Sequence, residues 1–217
     1  MHRICIPPPT DDLNLKRVEN NTFFYYFMYT AQEMATRSIL SIDIGATNFA
    51  VCAVDMPTVV VRNLECWNLG NIKAIPTTAI LDRLLRCFQE CNFLKTWVPD
   101  VVLIEQQIRG AHVNLALAFS TYTYMKTRFP SAIVKFVTPM AKFTGYTAHI
   151  DLKDAEILGK IKDKASSSTY AKRKKHAVDI ANAILLQTNQ PDLQSHCPGL
   201  KQDDLADAFL QAFCFSN

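Results

Sequence analysis

The residues best suited to chemistry in this chain are acids placed where acids are costly. Asp43 lies between Ile42 and Ile44 in the apolar run Ser38–Ile44, and Glu105 ends the run Asp100–Glu105 (DVVLIE). A carboxylate in so apolar a segment is costly unless it is paired or bound to a cation, although an acid at a strand end also has the plainer reading of facing solvent or capping the turn. Asp203, Asp204 and Asp207 open the last helical segment. Acids there cap free N–H groups and suit the helix dipole. Asp204 and Asp207 are three apart and Asp203 and Asp207 four apart, so either pair shares a helix face. Carboxylates that converge repel one another unless a cation intervenes. Mg²⁺ is a hard ion that takes carboxylate oxygens. Two such ions about 4 Å apart clamp the attacking and leaving oxygens in phosphoryl transfer.

Positive charge is gathered elsewhere. Lys160, Lys162, Lys164, Lys172, Arg173, Lys174 and Lys175 stand against Asp163 alone. Such a run is either a solvated helix face or a stretch that neutralises phosphates. Other chemistries find less support. The five histidines (2, 112, 149, 176 and 196) are scattered without metal spacing, and no Ser/His/Asp or Cys/His pattern suggests acyl transfer. The seven cysteines contain no CxxC, and Cys87 and Cys91 lack a second pair at zinc-like spacing. Reduced thiols are the expectation.

The elements that position these groups follow from periodicity. Ser38–Ile44 reads as a buried strand. Ala50–Asp55 is a second, after a turn at residues 45–48, and valine-rich Val59–Cys66 a third, so the three form an antiparallel meander. Thr78–Cys91 has apolar residues at 80, 81, 84, 85 and 88, which is helical spacing. Strand Asp100–Glu105, helix His112–Arg128 and strand Ala132–Val137 follow, and their alternation implies parallel pairing. After Pro139 the pattern weakens, with a loop at Ser166–Thr169. Tyr170–Gln187 then reads as a helix with Val178, Ala181, Ile184 and Leu185 on one face, and Asp203–Phe213 as the last helix. The fold class is α/β, a mixed five-stranded sheet flanked by helices. The first strand and Asp100–Glu105 are expected to be neighbours, with the last helix bringing its acids to the same edge.

At about 150 residues per domain, 217 residues make one domain plus an appendage. Charged residues at 20% and hydrophobic ones at 49% argue against disorder, collagen and coiled coil. No apolar run reaches the roughly 18 residues of a membrane span. No secretory leader is evident, so a cytosolic or nuclear protein is expected. Residues 1–37, with Pro7-Pro8-Pro9 and the aromatic cluster Phe23–Tyr29, read as an extension without assigned role, either disordered or upstream of a natural start at Met34. Residues 38–217 are expected to form the folded domain. The net charge of +3 makes no global case for nucleic acid, so any such case is local.

Ser41-Ile42-Asp43-Ile44-Gly45 with Asn48, then Leu103-Ile104-Glu105-Gln106-Gln107-Ile108-Arg109, then Lys201-Gln202-Asp203-Asp204-Leu205-Ala206-Asp207-Ala208 resemble, in that order, the poxvirus-type Holliday-junction resolvases. More distantly they are similar to the fungal mitochondrial and bacterial RuvC resolvases. The resemblance runs from about Ser38 to Phe213. It implies an RNase H-like fold, a homodimer and Mg²⁺-dependent cutting of four-way DNA junctions, with Mn²⁺ substituting. Paired cuts would leave 5′-phosphate ends, in viral DNA replication and recombination in a host cytoplasm. Asp43 would bridge two ions, Glu105 hold one, and Asp207 with Asp204 or Asp203 the other. Lys174 or Lys175 would be the active-site lysine, the adjacent pair leaving the register open. Gln107, Arg109, Lys172, Arg173, Lys174 and Lys175 would contact DNA, and Gly45 would let the backbone approach metal or DNA. The segment Thr147–Ser168 looks longer than in the poxvirus members, and no role is assigned to it.

Three other readings compete. One is a nuclease of the same fold acting on other branched DNA or on RNA–DNA hybrids, and another a catalytically silent DNA-binding module. The third follows from Ile42–Asn48 (IDIGATN), which also resembles the first phosphate motif of sugar kinases and actin-like ATPases. Six glycines, none adjacent, fit that third reading poorly. If the basic run neutralises phosphates, junction affinity falls steeply with salt. Binding that changes little between low and moderate salt, in a filter or anisotropy titration, would remove that role.

Overall fold

The computed structural model describes residues 36–139, 170–198 and 201–215. The elements are β1 (Arg37–Asp43), β2 (Phe49–Met56), β3 (Val60–Trp67), α1 (Thr77–Glu90), α2 (Phe93–Thr96), β4 (Val101–Glu105), α3 (His112–Arg128), β5 (Ile133–Val137), α4 (Tyr170–Gln187), α5 (Leu193–His196) and α6 (Gln202–Phe215). The sheet order is β3-β2-β1-β4-β5. β1 and β2, and β2 and β3, pair antiparallel; β1 and β4, and β4 and β5, pair parallel. The meander, the parallel half and the neighbouring of β1 and β4 all match the expectation from periodicity. The one-turn helices α2 and α5 were not anticipated, because four residues carry too little periodicity to register.

Strands buried on both sides explain why β1 and β2 read as near-continuous apolar runs. All eight residues of β2 are buried. Alternation along each strand splits the core into two layers. Ile39, Ala50, Cys52, Val101 and Leu103 face α4 and α6, while Leu40, Ile42, Phe49, Val51 and Ile104 face α1 and α3. α6 packs on β1 and β2 and against α4. In α1 the buried residues are Ile80, Leu84 and Phe88, one per turn.

Aromatic rings hold the α1 side. Phe49 stacks on Trp67 with centroids 5.6 Å apart, and Phe88 meets both edge-on at 5.9 and 5.4 Å. Phe88 also stacks on Tyr124 of α3 at 4.7 Å. Among the described residues no helix is long and apolar enough to cross a membrane, and the described cysteines form no disulfide. Apart from Thr36 and Arg37, the N-terminal extension lies outside the described residues, as do the segment Thr147–Ser168 and Lys160, Lys162 and Lys164. Phe88 touches three rings, so Phe88→Ala is expected to cost about 3–5 kcal/mol. Urea denaturation that showed less than about 1 kcal/mol would mean the aromatic cluster contributes little.

Candidate active site

The parallel register fixes the first two acids. Ile42 of β1 pairs with Ile104 of β4, so the next residues, Asp43 and Glu105, end the two strands side by side. Alternation turns both towards the sheet face covered by α6, two residues beyond Ser41 and Leu103. Asp43 is the last residue of β1 and is buried. The row continues antiparallel through Ala50 to Cys66 of β3. Burial, and then the carboxylates of Asp204 and Asp43, push the Cys66 thiol up to about 11, so it is protonated at neutral pH.

The N-terminus of α6 supplies the facing wall. Asp203 and Asp204 lie in its first turn, and Asp204 is only 7% exposed. Asp43 and Asp204 line one cleft of about 310 Å³, together with Lys174, Lys201, Asn114 and the turn at residues 44–48. Two ammonium groups bind the helix acids. Lys174 Nζ is 2.6 Å from Asp203 Oδ2 and 2.9 Å from Asp204 Oδ1. Lys201 Nζ is 3.2 Å from Asp203 Oδ2 and 3.0 Å from Asp204 Oδ2. Burial alone would raise the Asp203 carboxyl, but the two lysines outweigh it and hold it below the usual value. Burial likewise works against the Lys201 ammonium, and its bonds to Asp204 and Asp203 raise it overall.

Of the adjacent lysines, Lys174 enters the cleft and Lys175 is exposed. Asp207 follows one turn later in α6, half-buried. Glu105 accepts a hydrogen bond from Gln107 Nε2 at 3.1 Å, and Gln107 Oε1 accepts one from Asn114 Nδ2 at 3.3 Å. Gln107 is thus directed inward, linking Glu105 to the cleft wall, while Arg109 is exposed. Lys172 and Arg173 fall in α4, but their side chains lie outside the described residues. The need for Gly45 is internal to the turn: a Cβ there would meet the Asn48 carbonyl oxygen at 2.6 Å. The close approach is therefore made by the chain itself, and Leu69, two residues past β3, holds the turn by donating its N–H to Ala46 O at 2.9 Å.

Lys201, Asn114 and Cys66 at this site were not anticipated. Lys201 stands three residues before Asp204, a spacing from which an ion pair could have been read. Asn114 and Cys66 reach the site only through tertiary placement. The donor chemistry suits Mg²⁺, since the acids offer only carboxylate oxygens. As the side chains stand, no three metal-binding groups among the described residues gather closely enough to hold an ion, and the ammonium groups occupy the helix acids.

No family model and no curated protein matches the sequence. Solved structures do. Thermus thermophilus RuvC in complex with a Holliday junction substrate is 14% identical, with a TM-score of 0.53 over 83% of this chain and 92% of that one. Fowlpox virus resolvase, solved with Holliday junction DNA, is 18% identical, with a TM-score of 0.51 over 82% and 97%. The yeast mitochondrial Holliday junction resolvase is 16% identical, with a TM-score of 0.50 over 82% and 78%. The fold is that of the RuvC-like resolvases. Its RNase H-like sheet carries Asp43 and Glu105 at the ends of the adjacent parallel strands β1 and β4.

The lysine clamp has a defined pH window. Asp203 is depressed, so its contribution is present above the unfolded carboxyl value of about 3.9 and fades as pH falls through the lower folded one. Lys201 is raised, so its contribution is full below about 10.4 and fades as pH rises through the higher folded value. Lys201→Ala should cost at most about 1 kcal/mol at neutral pH, because Lys201 is half-exposed. That cost should shrink in strong acid. Denaturation at a series of pH values checks this, and a cost that grows on acidification contradicts the clamp.

Proposed function

We propose that the protein is a structure-selective endonuclease that resolves four-way DNA junctions by metal-dependent phosphodiester hydrolysis. One observation carries the reading: Asp43 and Asp204, from opposite ends of the described chain, face a single cleft with two lysines. The likeness of the fold to resolvases supports it. The residues that would serve such a hydrolysis stand at strand and helix ends.

In this reading Asp43, Glu105, Asp207 and Asp204 or Asp203 would hold Mg²⁺, or Mn²⁺ in its place, taking it in exchange for the ammonium groups. The ions would lower the pKa of water and stabilise charge on the phosphate. Lys174, released from the acids, lies where it would neutralise a phosphate oxygen in the cleft. Glu105 keeps its orientation through Gln107 and Asn114. Lys175, Lys172, Arg173 and Arg109 would serve the DNA arms by charge. The 3′ oxygen leaves, so the product carries a 5′-phosphate and a nick that ligase seals. A junction has two-fold symmetry, so a two-fold homodimer would present one cleft to each of two opposed strands. A place in viral DNA replication and recombination is part of the same proposal and rests on the sequence resemblance.

Asp43→Asn is expected to abolish junction cutting in Mg²⁺ while leaving junction affinity within about threefold, because an uncharged amide keeps the shape but loses the cation. Wild-type and variant are to be assayed on four-way junctions, flaps and RNA–DNA hybrids. Preferential cutting of flaps or hybrids would reassign the substrate. Binding without cutting by the wild type, in Mg²⁺ and in Mn²⁺, would leave a DNA-binding module. Wild-type-like cutting by Asp43→Asn would sink the assignment of Asp43.

A further inference from the structure

Gln211 is the one buried carboxamide in the α6 layer of the core among the described residues. It is 3% exposed, in a helix whose neighbouring residues Phe209, Leu210 and Ala212 are buried and apolar. A carboxamide there is costly unless its N–H groups find acceptors. They find three. Gln211 Nε2 donates to Ser41 Oγ at 3.0 Å, to the Ile42 carbonyl at 3.3 Å and to the Leu103 carbonyl at 3.4 Å. Ser41 and Ile42 belong to β1 and Leu103 to β4, so one side chain spans both strands.

The positions of these partners matter more than their number. Ser41 is two residues before Asp43, and Leu103 two before Glu105, on the same sheet face as the acids. Gln211 lies four residues after Asp207 and seven after Asp204, on the helix face that carries both. A single amide therefore joins all three elements from which the carboxylates project, one short step behind each of them.

We infer that Gln211 is a positioning residue: it fixes the depth and rotation of α6 against β1 and β4, and thereby the relative placement of Asp43, Glu105 and the helix acids. An aliphatic residue would fill the same volume without a desolvation cost, but it would let the helix slide or turn on the apolar face, since packing alone is non-directional. Displacement of about 1 Å at a reacting centre costs on the order of 100-fold in rate. The role rests on the proposed nuclease reading.

The test uses the full chain. Gln211→Met keeps the length and volume of the side chain and removes the donor. Single-turnover cutting of a four-way junction in Mg²⁺, junction affinity without divalent metal, and the thermal midpoint are to be measured together. The expected result is a rate constant about 100-fold lower, with affinity within about twofold and the folded state retained at the assay temperature. A purely structural role would lower the folded fraction and leave the rate constant of the folded molecules unchanged. That outcome overturns the inference, as does a wild-type rate. Should Gln211→Met fail to fold, Ser41→Ala removes one acceptor at the opposite end of the bond. It is expected to lower the same rate constant about tenfold, and an unchanged rate overturns the inference. Wild-type protein that cut no junction would overturn the nuclease reading, and the positioning role with it. A wild type that cuts, matched by its variant, would overturn the positioning role alone.

Discussion

The parallel ladder between β1 and β4 is the constraint on which the rest depends. Pairing Ile42 with Ile104 sets Asp43 beside Glu105. A slip of one residue would send one of the two acids to the opposite face of the sheet, against α1 and α3. The apolar residues of both strands enforce the register, because in a slip either Ile39 and Leu40 or Val102 and Leu103 would lose their layers. The acids are thus held at their place by residues that do no chemistry. Only after that register is set does the position of α6 have meaning.

Convergent carboxylates carry an electrostatic cost, and the structure meets it with lysines from two further elements. Lys174 comes from α4 and Lys201 from the residue before α6, and both reach Asp203 and Asp204. The overall charge of +3 conceals this local balance. The site is acidic at the sheet edge, basic along α4, and neutralised where the two meet. Near-neutral totals of this kind say little about affinity for nucleic acid, because phosphates respond to the local partition.

Most of the fold was legible in the sequence. β1 and β2 declared themselves through unbroken apolar runs, and α1 and α3 through spacing or length. The neighbouring of Asp43 and Glu105 on adjacent parallel strands was also legible, since each sits at the end of its strand. Other features depend on rotation and depth, which periodicity does not carry. Adjacent Lys174 and Lys175 are equivalent in sequence, and only the angle of α4 sends the first into the cleft. At Gly45 the contact that requires glycine, the Asn48 carbonyl, lies within the turn and is not visible in the sequence. The bond from Gln107 to Glu105 is likewise invisible to periodicity. Gln211 comes from a segment distant in the chain from the strands it serves, and nothing local marks it.

The bond between Gln211 and Ser41 joins residues 170 apart in the chain. Its length has a consequence for biosynthesis. The hairpins of β1 to β3 can pair as soon as they leave the ribosome, because their contacts are local. The face that holds Ile39, Cys52 and Val54 stays uncovered until α6 has been made. Until then the nascent chain exposes an apolar sheet surface and has only half of a cleft. The same late step closes the core and completes the cleft, so a half-made chain is at once the most prone to aggregate and without a finished site.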